Sequence, residues 1–149
     1  MKTVHISQED LKQVVDTVFI LMVGLTANPD HWPDPLPGEH YRAHVDLSGS
    51  WEGSVILECG EAPANHLAAR FLSLQSAGLQ NDMVRDVLGE IVNMIGGNMK
   101  SALTSGVVIS TPEVRLISEP WLNESSGVHQ NFRCDEGPFW VTIHVGTAA

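Results

Sequence analysis

The stretch from Asp82 to Thr104, DMVRDVLGEIVNMIGGNMKSALT, constrains what this chain can fold into more than any other. At about 100° per residue its polar positions collect on one strip of a helix. With Glu90 set at zero, Asn93, Gly97, Asp86, Lys100 and Thr104 fall within roughly 80° of arc. Leu88, Ile91, Val92, Ile95, Met99, Ala102 and Leu103 take most of the opposite side. The spacing therefore predicts one long amphipathic helix with a buried face. Such a helix needs a sheet or other helices to lie on, and the remaining chain supplies both.

Ser7, with Gln8, Glu9 and Asp10 behind it, starts a first helix with a hydroxyl cap and acids in the first turn. Leu11, Val14, Val15, Val18, Met22 and Leu25 recur at helical spacing. Val18 to Val23 is apolar on every side, which predicts burial on more than one face, inside the domain or against a second subunit. Asn28 and Pro29 are expected to end this helix. Residues 28–38, NPDHWPDPLPG, carry four prolines and no periodicity, as a structured surface connection does. Tyr41 to Ser48 alternates cleanly, Gly53 to Cys59 alternates again, and SGSWEG between them predicts a hairpin with Trp51 as a packing lid. Glu61 to Leu74 forms a second helix with Pro63 in its first turn and Leu67, Ala68, Phe71, Leu72 and Leu74 on its buried side. Asn81 is an acceptable cap for the long helix. Val107 to Ser110, Val114 to Ile117, 127–134 and Phe139 to Val145 are the remaining strands, with Asp135, Glu136, Gly137 and Pro138 turning between the last two. Helix, hairpin, two helices, then strands is the order of an α+β domain, an antiparallel β-sheet packed against helices. At 149 residues the chain is most simply a single domain, residues 1–149.

Charge and composition remove several function classes. The net charge is −10 and no cluster of Lys or Arg exists to neutralise a run of phosphates, so nucleic acid is not an expected partner. Cys59 and Cys134 stand far apart outside any CxxC pattern; a disulfide is possible in principle, but two lone thiols point to a reducing, cytosolic compartment. His40 and His44 lie on an extended segment, which separates their side chains by roughly 13 Å. No HExxH is present, and no metal site is expected. Val14 to Leu25 is too short for a membrane span, Asp16 interrupts it, and Glu9 and Asp10 precede it where a signal peptide wants positive charge. The expected location is cytoplasmic.

The chemistry on offer is confined to the strip. Glu90 and Asn93 project side by side, one turn apart. A carboxylate can pair with a lysine, and an amide can hold a water in a fixed orientation. Gly96 and Gly97 inside a helix cost about 1 kcal/mol each against alanine, so close packing or access for a partner must offset them. On spacing alone the plainer account is a solvated helix face above a close helix crossing. The strip has no nucleophile, metal ligands or phosphate loop. It could, however, complete the active site of another protein.

DVLGEIVNMIGGNMKSAL resembles the signature helix of the CheX/CheC/FliY family of chemotaxis phosphatases, in which an acidic or hydroxyl residue, ExxN and a glycine lie along one helix. Here these are Asp86, Glu90, Asn93 and Gly97. HVDLSGSWEGSVILEC and STPEV are similar to the family's segments on either side, so the resemblance spans Tyr41 to Val114. It implies a hydrolase for the aspartyl phosphate of a CheY-type response-regulator receiver. Glu90 would dock onto the receiver's lysine and Asn93 would orient the attacking water, while Asp86, Gly97 and Lys100 would line the partner-facing surface. It also implies no cofactor of the chain's own, since Mg²⁺ belongs to the phosphorylated receiver. The single ExxN implies a homodimer if two sites are to exist. A non-catalytic docking domain for a receiver or flagellar-switch component, using the same helix face, is the alternative.

Overall fold

The computed structural model describes residues 6–30, 39–75, 78–103, 105–118 and 127–146. Three helices, α1 (Gln8–Val23), α2 (Glu61–Leu72) and α3 (Asn81–Ala102), lie with seven strands: β1 (Asn28–Asp30), β2 (His40–Gly49), β3 (Gly53–Gly60), β4 (Val107–Ile109), β5 (Glu113–Ile117), β6 (Gly127–Cys134) and β7 (Gly137–Val145). The sheet runs β1-β6-β7-β3-β2-β4, and β5 shares the outer edge of β2 with β4. Every pairing is antiparallel. The expected α+β architecture is the one observed.

Ser7 starts α1 as its sequence predicts. Its hydroxyl accepts the Asp10 N–H at 3.1 Å, and the Asp10 carboxylate accepts the Ser7 N–H at 3.0 Å. Two backbone donors that a helix start leaves unpaired are satisfied by this exchange. Phe19 then anchors the helix on the sheet, stacking on Phe139 at 4.4 Å, and Phe139 stacks on Phe132 at 5.4 Å. The helix stops earlier than expected. Gly24 takes a left-handed φ of 70° and its N–H caps the last turn, so Asn28 and Pro29 are not the terminator. Instead, Asn28–Asp30 pairs with Asn131–Arg133 as a short edge strand. An edge strand has one row of backbone groups without a neighbour, which is why it tolerates Pro29. The Asp16 carboxylate accepts the Ala27 N–H at 3.0 Å and holds the approach to that strand. The rest of the proline-rich connection lies outside the described residues. Val18, Phe19 and Val23 are buried, whereas Ile20 and Leu21 are open to solvent.

α3 lies across β2 to β5 and also packs against α1 and α2. Leu88, Ile91, Val92, Ile95 and Met99 are all sealed in the core, the face that periodicity assigned to them. The helix begins one residue early, at Asn81, and Gln80 precedes it without a side-chain cap. Ala102 is its last residue; Thr104 lies outside the described residues. Gly89 and Gly96, seven apart, sit on the flank turned to β4 and β5. A Cβ at Gly96 would come within 2.8 Å of Ile109 Cδ1 and Val45 Cγ2, so these two sheet side chains pack directly on the helix backbone there. Gly96→Val is expected to cost about 2 kcal/mol by overpacking, read as a lower midpoint in urea. An unchanged midpoint would show that the contact is slack.

Two readings of α2 need correction. The helix ends at Leu72, not Leu74, because Ser73 turns left-handed at a φ of 55°. Leu72 and Leu74 consequently stand 37% and 43% exposed, instead of supplying the buried side with Leu67 and Ala68. At the far hairpin Asp135 and Glu136 alone form the turn, and Gly137 and Pro138 already belong to β7. Trp51 is buried, its ring against Gly53, as a packing lid should be.

Candidate functional site

The site is built from one helix face. Asp86, Glu90 and Lys100 are exposed, while Asn93 and Gly97 are partly exposed on the same strip. Among the described residues, none of the side chains of Asp86, Glu90, Asn93 and Lys100 makes a hydrogen bond or ion pair. A carboxylate and a carboxamide one turn apart, both without internal partners, are free to bond to something outside the chain. The two glycines that looked alike in sequence separate here. Gly96 is sealed under Ile109 and Val45, but a Cβ at Gly97 would meet nothing within 4 Å. Internal packing therefore accounts for the first and leaves the second unexplained.

Two clefts flank the Asp86–Glu90 ridge, and neither was foreseen from the sequence. On the α2 side, Phe71, Leu72, Met83 and Val87 line a groove together with Asp86 and Glu90. On the β5 side, Arg85, Gly89, Thr111, Pro112 and Val114 line a more polar cleft bordered by the same two acids. No sequence signal marks the first, because Ser73, where α2 ends, is not a residue type that announces a left-handed turn.

Elsewhere several titratable groups are paired. On the sheet face turned away from α3, Glu58 Oε2 binds His40 Nε2 at 3.0 Å and Arg42 at 3.2 Å, with His40 and Glu58 both buried. His44 faces other carboxylates, Glu113 at 3.4 Å and Asp46 at 4.0 Å. His40 and His44 thus serve separate carboxylates. Among the described residues no group of three or more His, Cys, Asp or Glu is placed to hold a metal ion. Cys59 and Cys134 are free and buried, and burial pushes both thiols up, which makes them poor nucleophiles. Burial also pulls the His129 imidazole down, opposed by its bond to Asn131. Among the described residues no helix is long and apolar enough to cross a membrane.

The model of the family described as chemotaxis phosphatase CheX matches residues 41–132, more than half of the chain. The chain belongs to that family. The match begins at Tyr41, where the sequence resemblance also began, and extends past it into β6. Among solved structures, the chemotaxis protein CheX of Vibrio vulnificus is similar at a TM-score of 0.73 and 22% identity, over 93% of this chain and 95% of that one. CheX of Borrelia burgdorferi, solved in a complex with CheY, BeF3 and Mg²⁺, is similar at 0.69 and 18%, over 93% and 97%. FliY of Thermotoga maritima follows at 0.62 and 12%, over 96% and 93%. At these identities the likeness concerns the fold. No curated protein matches the chain.

Proposed function

We propose that this chain is an aspartyl-phosphate phosphatase for a CheY-type receiver, acting through Glu90 and Asn93. The observation that carries the reading is the pair itself: two polar side chains, one turn apart and without partners among the described residues, on the signature helix of a CheX-family chain. Asn93 enters the receiver's phosphorylated pocket and holds a water in line with the phosphorus. Glu90 pairs with the receiver's lysine and sets the approach. Water attacks phosphorus, the bond to the aspartyl oxygen breaks, and inorganic phosphate leaves. Mg²⁺ in the receiver stabilises charge on the phosphoryl oxygens. Because charge stabilisation comes with the substrate, positioning is what this chain has to add. The Borrelia relative, solved with CheY, supports the choice of partner class.

The test uses the CheY-type receivers of the source organism, phosphorylated with acetyl phosphate in Mg²⁺. Addition of the chain is expected to speed phosphate release from at least one of them. Binding without faster release would instead favour the docking reading, and neither would end both.

Gly97 offers a second check. Gly97→Ala is expected to stabilise the fold by about 1 kcal/mol, since alanine is the better helix former and nothing crowds the new methyl. The same methyl would stand between the helix and an incoming partner, so phosphate release should fall while the melting temperature rises. A variant that is more stable and fully active would remove Gly97 from the partner surface.

A further inference from the structure

We propose that the groove between α2 and α3 seats an apolar side chain of the same receiver, and that Leu72 sets how tightly the receiver is held. This rests on the phosphatase reading for the identity of the partner. The groove and the candidate site share a wall: Asp86 and Glu90 line the one and belong to the other. A protein that engages Glu90 comes beside Phe71, Leu72, Met83 and Val87. Leu72 stands 37% exposed at the end of α2 because the left-handed Ser73 breaks the helix there, and Leu74 beyond it is 43% exposed. Met83, half-buried, is an adaptable floor for a side chain of variable shape.

Charge narrows the occupant. The groove is lined by four apolar residues and two acids, with no cation among its described lining residues, so it fits an apolar side chain flanked by a basic one. The lysine proposed to meet Glu90 supplies that flank. The opposite cleft carries Arg85 and the β4–β5 connection, a polar surface that would not hold the same group. The two unlike flanks let the receiver sit in one orientation only. Its apolar contact lies toward α2, and the groove acts on affinity, apart from the water held by Asn93.

The experiment compares the wild-type chain with Leu72→Asp and Leu72→Met, using the source organism's CheY-type receivers phosphorylated with acetyl phosphate. Leu72→Asp is expected to raise KM at least tenfold with kcat within twofold, and Leu72→Met to match the wild type. A KM within twofold of wild type for Leu72→Asp overturns the inference while leaving the phosphatase reading intact. If the wild type releases no phosphate, that reading fails. The groove is then judged by titration with the same receivers loaded with beryllofluoride: a tenfold weaker Kd for Leu72→Asp upholds it. An unchanged Kd, or no binding by the wild type, overturns it.

Discussion

Asn93→Ala should lower the rate of receiver dephosphorylation about 100-fold and leave the fold intact. A factor of that size corresponds to about 2.7 kcal/mol of barrier, a reasonable share for one amide that orients a water. The receiver's own metal and lysine would still act on the phosphoryl group, so the residual rate approaches that of the receiver alone. The fold has little reason to change. Asn93 is partly exposed, its side chain bonds to nothing among the described residues, and alanine is the better helix former. The thermal midpoint should therefore hold or rise slightly. Phosphate release measured beside circular dichroism checks both halves. A folded variant with more than half of the wild-type rate would remove Asn93 from the chemistry.

The opposite pattern is expected at Glu58, on the far face of the sheet. Glu58 is 1% exposed, and its carboxylate joins His40 and Arg42. Glu58→Ala removes the carboxylate that a buried imidazole and a guanidinium, 27% exposed, both bind. Removing one member of a buried ion pair costs about 3–5 kcal/mol. Because Arg42 can recover some water, the lower end, about 3 kcal/mol, applies here. Glu58→Gln keeps the shape and one acceptor and should cost less. Urea unfolding of both variants measures this, and equal midpoints for Glu58→Ala and wild type would mean the cluster contributes nothing. Protein that stays folded should retain its activity towards a receiver, since Glu58 lies across the sheet from α3.

How much of this could be read beforehand depended on range. The buried face of α3 was legible because a 22-residue helix averages out local noise, and Leu88 to Met99 keep a strict helical period. The β2–β3 hairpin was legible because each strand alternates and a short polar turn joins them. What escaped depended on single backbone angles or on distant partners. Gly24 and Ser73 stop their helices by turning left-handed, and only Gly24 is a residue type that signals it. The strand at Asn28–Asp30 exists because β6, a hundred residues away, offers it an edge. Glu58, His40 and Arg42 meet through β-sheet register, which a composition of scattered histidines does not reveal. Gly96 and Gly97 are the sharpest case. They are adjacent and identical in sequence, yet one lies under two side chains and the other faces open space.

The central claim is that Glu90 and Asn93 divide the work, the first holding the receiver and the second acting on the water. Steady-state kinetics of Glu90→Ala and Asn93→Ala, measured together on one phosphorylated receiver, tests this most directly. The account predicts that Glu90→Ala raises KM at least tenfold, while Asn93→Ala lowers kcat about 100-fold with KM within twofold. Loss of neither parameter in Asn93→Ala, or an identical fall in kcat alone for both variants, would contradict it.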